Sequence, residues 1–298
     1  MDRGKGHCLS RRDLQKPCCA CRGFHSDERS GSFWSVSGQS GRNEKRKGYI
    51  VKISIITSVY NNKETIAEAI ESVLSQTYEN IEYIVVDGAS TDGTVEVIEE
   101  YAEEITTFVS EQDKGIYDGL NKGVALATGD VVGFLHSDDL FEDKYVVEKI
   151  AQAFIKSGVE SIYGDLTYVT KEDTSKVVRY WKSGTYSYTK LKRGWMPPHP
   201  TFYVKRDVYE KYGAFDTSFK IAADYDSILR FLGREKISTR YIPEVLVKMR
   251  LGGASNKSIK NLIQKSREDL KAMKNNGVGD VGSLLVKNIS KVPQFFRR

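Results

Sequence analysis

From Lys52 onward the apolar residues follow two alternating rhythms. "KISIITSV" (52–59) is a dense β-branched run closed by Asn61-Asn62, which predicts a buried strand followed by a turn. "KETIAEAIESVLSQ" then places Ile66, Ala69, Ile70, Val73 and Leu74 on one helical face. The alternation continues with strand "EYIVVDG" (82–88), helix "TDGTVEVIEEYAEE" with Thr91 or Asp92 as N-cap, and strand "ITTFVS" (105–110). Helix "GIYDGLNKGVALAT", strand "DVVGFLH" (130–136) and helix "KYVVEKIAQAFIKS" follow. Short connections between alternating elements predict βαβ units and a parallel sheet covered on both faces. Asp87 ends the second strand and Asp138-Asp139 lie just past the fourth. All three acids therefore fall at the edge where open α/β sheets bind ligands.

After Ser157 the pattern changes. "SIYGDLTYVT" and "SKVVRYWK" read as antiparallel strands around a turn at Lys171-Glu172-Asp173. "LKRGWMPPHPTFYVKRDVYEKYG" is Pro-rich, then strand and helix. "AADYDSILRFLG" is an amphipathic helix with Ile228, Leu229 and Leu232 inward, and "ISTRYIPEVLVKMRLGG" supplies another strand or two. No linker separates the halves. Residues 49–256 thus read as one domain with a nucleotide-binding first half and an acceptor-shaping second half. Residues 257–298 read as a helix and a basic amphipathic tail. In that tail Leu284, Leu285, Val286, Ile289, Phe295 and Phe296 mix with Lys287, Lys291, Arg297 and Arg298. Such an end lies either on an anionic membrane or against the body or a neighbouring subunit.

Residues 1–48 have no apolar period and are rich in Gly, Ser, Arg and Lys, so they read as disordered. Cys8, Cys18, Cys19 and Cys21 all lie here, without a second CxxC or HxxxH partner to complete a zinc site. "VKISIITSVYNN" itself reads like the start of a domain, with Val51 as an alternative start. The body lacks cysteine and suits a reducing compartment. There is neither an apolar run of membrane-spanning length nor a secretory h-region, so a cytoplasmic location is expected, with the tail at the inner face of the membrane.

Charge refines this picture. Lys and Arg outnumber Asp and Glu by 11 to 5 in residues 1–50 and by 10 to 3 in residues 257–298. In residues 51–256 the acids lead by 32 to 24. An acidic body argues against nucleic acid as a partner. It is compatible with a metal site in the body and a basic C-terminus on anionic lipid.

Several residues are candidates for chemistry. Asp138-Asp139 form either a turn and helix N-cap or a grip on a hard divalent cation, Mg²⁺ or Mn²⁺, that bridges to a substrate diphosphate. The cation would relieve the repulsion between adjacent carboxylates. His136 is either a further ligand or a hydrogen-bonding wall residue. Asp87-Gly88 is either an acid aimed at a ligand or simple turn chemistry. "VDGAST" resembles the opening of a phosphatase DxDGT motif, but Ala89 stands where the second acid belongs. Neither GxGxxG nor GxxxxGK[ST] is present, which removes the usual dehydrogenase and NTPase readings. Asp113, Lys114 and Gly115 form a charged loop suited to phosphate or sugar, whereas Asp118, Asn121 and Lys122 on the next helix read as solvated. Trp195, Met196, Pro197, Pro198, His199 and Pro200 form either an apolar platform for a sugar ring or a rigid loop. His199 could contact a metal or diphosphate. Asp224 and Asp226 are either first-turn acids of a helix or candidates for a general base. Being two apart, only one reaches a given site.

"ISIITSVYNNKETIAEAIESVLSQTYENIEYIVVDGASTDGT", "GLNKGVALATGDVVGFLHSDD" and "PHPTFYVKRDVYEKYGAFDTSFKIAADYD", in that order and spacing, resemble the inverting family 2 glycosyltransferases of the GT-A fold. The resemblance runs from about Lys52 to Leu251 and is nearest to bacterial members that build surface or exopolysaccharide. It implies an α/β fold with a Rossmann-like, mostly parallel central sheet flanked by helices and a mixed or antiparallel acceptor-side half. It also implies roles: Thr57, Val59 and Tyr60 as the nucleotide-pocket wall, Asp87 on the nucleobase, Asp139 on the metal and Asp138 on ribose or metal. Asp224 would be the base, with Asp226 as fallback. His136 departs from the Asn of many relatives. The implied donor is a nucleotide diphosphate sugar and the implied acceptor a glycan or polyprenyl-linked hydroxyl. A sugar-phosphate nucleotidyltransferase would share the layout but needs a Gly-rich GxGTRL-like loop where "SVYNNKET" stands. An inactive carbohydrate-binding scaffold would have no need of Asp87, Asp138, Asp139 and Asp224.

Overall fold

The structure is a computed structural model that describes residues 50–252 and 259–289. The expectations for residues 1–48 (disorder, the cysteine cluster, the alternative start) and for the last nine residues lie outside these.

Four parallel strands form the first half of the sheet: β1 (Ile53–Val59), β2 (Ile81–Asp87), β3 (Thr107–Ser110) and β4 (Val131–Phe134). Their order across the sheet is β3-β2-β1-β4. β1 is the pivot, with Ile53 level with both Ile81 and Val131, and Val59 level with Asp87. The second half adds β5 (Leu140–Phe141), β6 (Ser161–Val169), β7 (Val177–Trp181), β8 (Tyr203–Lys205) and β9 (Thr239–Arg250). β8 joins β4 and β6 in antiparallel fashion, and β6 pairs in parallel with β9. β5 and β7 run antiparallel to β9 and β6.

The period-two alternation of each strand sorts its side chains onto two faces. Ile53, Ile55, Tyr83, Val85 and Leu135 point one way, where α1 (Ile66–Leu74), α2 (Thr94–Glu99) and, further along the chain, the helix Val146–Ser157 cover them. Ile56, Ile84, Val86, Val132 and Phe134 point the other way. That face is covered by α3 (Ile116–Leu126), with Val146–Ser157 as α4 opposite, then α5 (Tyr188–Lys192), α6 (Arg206–Tyr212), α7 (Ala223–Ile228) and α8 (Ile259–Asn275). α7 runs on into a π-helical turn, Leu229–Arg234. α9 (Val281–Ile289) follows α8. Ala272, Met273 and Val278 join the core, while Leu262, Ile263, Val281, Leu285 and Val286 are exposed.

Several boundaries move from the sequence reading. The second helix stops at Glu99, and its N-cap is Gly93 in the left-handed region rather than Thr91 or Asp92. Asp92 still caps it from one residue earlier, its Oδ1 accepting from Thr94 N at 3.0 Å. The third strand begins at Thr107 and the fourth ends at Phe134, because past Leu135 the chain turns away into the site loop. "ISTRYIPEVLVKMRLGG" forms one long strand, β9, and β5 is a short strand that periodicity cannot register.

Beneath the sheet edge opposite the site, Glu82 is buried and ties β1, β2 and β4 together. It accepts from Lys52 Nζ at 2.7 Å, Ser54 Oγ at 2.6 Å and Thr128 N at 2.7 Å. Burial pushes its carboxyl up, but the bonds from Lys52, Ser54 and Thr128 outweigh that and lower it to about 2. A depressed carboxylate contributes stability that is present above the unfolded value near 4.5 and is lost as pH falls toward 2. Glu82→Gln is therefore expected to lower stability at pH 7 by about 2 to 3 kcal/mol. The deficit relative to the parent protein should shrink below pH 4, which urea unfolding at several pH values would show.

Candidate active site

The site edge is assembled by three loops. Asp87, fully buried at the end of β2, accepts from Ser90 N at 3.0 Å, from Ser90 Oγ and from Ser110 Oγ at 2.7 Å. Ala89 between them takes φ 63°, a left-handed conformation that a β-carbon disfavours. The bonds from Ser90 offset that cost. Asn61, also left-handed, accepts from Thr91 N, while Asn62 donates to Ser137 Oγ at 2.9 Å. The β1 loop thus fastens the β2 loop to the β4 loop.

Past β4 the chain delivers Asp138 and Asp139. Asp139 is 1% exposed. Its Oδ1 accepts from Arg250 N at 3.2 Å, and its Oδ2 has no hydrogen-bond partner among the described residues. Burial, and then the Asp138 charge, push its carboxyl well above the usual range, against the pull of Arg250. Arg250 also donates from Nη1 to Asp138 O at 3.0 Å and from Nη2 to Glu68 Oε2 at 2.5 Å.

Asp224 stands at the start of α7 and is half-buried. Tyr117 of α3 donates to Ile221 O at 2.7 Å and lies 3.2 Å from Asp224 Oδ1. The His136 and His199 rings lie side by side, their centroids 5.8 Å apart. Asp138 and Asp224 both act on His136, and Asp224 on His199. His136 Nδ1 and His199 Nε2 are buried and lack a hydrogen-bond partner among the described residues. Four of the sequence-derived candidates, Asp138, Asp139, Asp224 and His199, are thereby gathered around the end of β4, with His136 among them.

Residues 54–217, more than half of the chain, match the family described as Glycosyl transferase family 2. The chain belongs to that family. An uncharacterized glycosyltransferase of Rickettsia typhi is 32% identical over 218 residues, 70% of this chain and 67% of its own. The PGL/p-HBAD biosynthesis glycosyltransferase of Mycobacterium bovis is 27% identical over 209 residues, 68% of this chain and 78% of its own. In three dimensions a mannosyltransferase of Pyrobaculum calidifontis, solved with GDP-Man and Mn²⁺, superposes with TM-score 0.56 at 19% identity, over 83% of this chain and 74% of that one. S. aureus TarS in complex with UDP-GlcNAc gives 0.57 at 15% identity, over 76% of this chain and 66% of that one. Against a longer TarS chain the match spans 40% of that chain. The fold is of the GT-A type, and the protein is a glycosyltransferase.

Within this family 2 glycosyltransferase the other candidates take varied places. Tyr60 is exposed, whereas Val59 is buried behind it. Thr57 is buried too, its hydroxyl donated to Leu135 O at 2.8 Å. Asp113 accepts from Gly115 N, and its carboxylate lies so close to Gly88 and Gly119 that a β-carbon at either would meet it within 3.0 Å. Lys114 is exposed beside it. Trp195 is half-buried, wedged between Tyr163 and Tyr186, its indole N–H donated to Ser183 O at 3.0 Å. Asp226 does not share the site of Asp224: it is buried against Arg230 at 3.2 Å and Asn276 at 2.9 Å.

Asn121, read as solvated, instead exchanges two bonds with the Phe215 backbone, both at 2.9 Å, and braces the loop ahead of α7. Lys122 pairs with Glu111 and Asp118 accepts from Lys114 N, so both are engaged locally. Sequence reasoning missed Tyr117 and Arg250. Tyr117 lies in a helix whose pattern marks it as one more core-facing aromatic, and Arg250 sits far down the chain from its partners.

His199 is held neutral. Burial lowers it to about 4, with His136 adding to the effect and Asp224 opposing it. Neutral His199 contributes stability that is complete above its unfolded value near 6.5 and is lost as pH falls toward 4. Imidazole NMR resonances assigned through a His199→Gln variant should show no titration of His199 between pH 7 and 5.5.

Proposed function

We propose that this glycosyltransferase moves a sugar from a nucleotide diphosphate sugar to a hydroxyl of a glycan or polyprenyl-linked acceptor, inverting the anomeric centre, in surface or exopolysaccharide synthesis at the cytoplasmic face of a membrane. The observation that carries the reading is Asp139: a buried carboxylate with one oxygen unpartnered, next to Asp138, whose charge acts on His136 together with that of Asp224. Among the described residues no cluster of three or more His, Cys, Asp or Glu is arranged to hold a metal ion. Mg²⁺ or Mn²⁺ in transferases is commonly held by one or two carboxylates, with substrate phosphates completing the shell. The orphaned Asp139 Oδ2, with Asp138 as second donor, fits that division. The cation, when bound, supplies positive charge at the leaving diphosphate.

The chain's own residues then divide the work. Arg250 fixes Asp139 and the Asp138 carbonyl, so the carboxylates are set before the donor arrives. Asp87 and the loops around Tyr60, Asp113 and Lys114 line the nucleotide end of the edge. Asp224 takes the proton of the acceptor hydroxyl, and Tyr117 fixes its orientation. Neutral His136 and His199 add hydrogen-bonding capacity there without adding charge. Trp195 belongs to the acceptor side. GDP-Man on one structural neighbour and UDP-GlcNAc on another support a nucleotide sugar as donor.

Nucleotide release from a panel of UDP- and GDP-sugars, with Mn²⁺, Mg²⁺ or chelator, tests the reading. Asp224→Asn is expected to lower kcat by about 10² to 10⁴. Asp139→Ala and chelator should abolish turnover, and Asp226→Asn should leave kcat/KM far closer to the parent value. Full turnover in Asp139→Ala would overturn the proposal.

Membrane contact is supported by the exposed Leu285 and Val286 of α9, next to the basic end of the sequence. Flotation of the full chain with phosphatidylglycerol vesicles should weaken in a Leu285→Ser, Val286→Ser double variant. Equal flotation of parent and variant would rule out α9 as the contact.

A further inference from the structure

We propose that Glu268, on α8, is a positioning residue for Asp224, acting by capping the helix that carries it. The inference rests on the base role given to Asp224 above. α7 begins without a cap of its own: its N-cap is Ala222, which has no side-chain acceptor. The first backbone N–H groups of a helix need partners from elsewhere. Another helix supplies a carboxylate to the N-cap N–H of α7 and to the two backbone N–H groups that lead into it. Glu268 Oε2 accepts from Ile221 N at 2.8 Å, Ala222 N at 3.0 Å and Lys220 N at 3.1 Å. Its Oε1 accepts from Lys220 N at 3.1 Å and from Gln264 Nε2 at 3.0 Å. A carboxylate at this end of a helix is also favoured by the helix dipole. Burial pushes the Glu268 carboxyl up, but the bonds from Ile221, Gln264, Lys220 and Ala222 outweigh it, so the group stays charged.

The same side of α8 grips the surrounding chain at two more points. Lys271 Nζ donates to Ser218 Oγ at 3.0 Å and lies 4.3 Å from the centroid of the Phe219 ring. Asn276, just past α8, donates to Asp226 Oδ1. The segment from Ser218 to Asp226 is therefore clamped before and after Asp224. Tyr117 holds the same segment from the opposite side through Ile221 O. The direction of the Asp224 carboxylate depends on where Ile221 and Ala222 sit, which Glu268 fixes through their N–H groups and Tyr117 through Ile221 O.

Amide hydrogen exchange on the full chain reads the cap directly. In Glu268→Ala the amides of Ile221, Ala222 and the first turn of α7 should exchange about tenfold faster, while those of β1 stay unchanged. Glu268→Gln keeps one acceptor oxygen and should fall between. Nucleotide release, in Mn²⁺, from UDP-GlcNAc or GDP-mannose reads the consequence. Glu268→Ala should lower kcat about tenfold with donor KM within about twofold, and cause no further loss in an Asp224→Asn background. Unchanged exchange at Ile221 and Ala222 would overturn the cap. An equal further loss in the Asp224→Asn background would show that Glu268 acts on the fold generally. If Asp224→Asn itself kept full turnover, the base reading would fall, while the exchange result would still decide the cap.

Discussion

Burying the Asp139 carboxylate costs free energy that its own loop cannot return. A lone ionised group out of water either changes protonation state or finds a partner. Asp139 has one partner in place, the Arg250 N–H, and Arg250 is itself buried, with Glu68 and the Asp138 carbonyl as its acceptors. The chain Glu68–Arg250–Asp139 crosses from the first helix to the last strand of the sheet. Much of the second half can be understood from that requirement. β9 has to lie where it does for Arg250 to reach the β4 loop, and its parallel pairing with β6 and antiparallel pairing with β5 hold it there.

The same economy of charge governs the middle of the site. Two imidazoles feel the charge of nearby carboxylates, yet burial keeps them from protonating. A cationic pair there would bind the acids in permanent ion pairs. Neutral rings leave Asp138 and Asp224 available and still offer one nitrogen as donor and one as acceptor. The aromatic bed of Phe134 and Phe215 against His199 supplies the desolvation.

Most of the parallel half was legible from spacing alone. β-branched runs and helical stripes alternate without ambiguity, and strand-end acids in such a sheet point to its ligand edge. Asp87, Asp138 and Asp139 were placed at that edge in this way. Asp224 could be separated from Asp226 only by three-dimensional placement, since both fall in the first turn of one helix. Arg250, Tyr117 and Glu268 were hidden for a common reason. Each acts on a partner more than forty residues away in sequence, through backbone groups that carry no side-chain signature. Asn121 was misread because a polar residue on a helix bonded to distant backbone looks the same in sequence as one bonded to water.

The position of β4 in the sheet has a consequence for synthesis. One of its edges is satisfied early by β1, but the other waits for β8, whose residues begin only at Tyr203. A nascent chain that has completed β1 to β4 therefore leaves the ribosome with one side of β4 open, its backbone groups unpaired and its side chains apolar. Such edges template association with other chains. Until the C-terminal half arrives, that unpaired strand is the point at which a chaperone would have to shield the growing polypeptide.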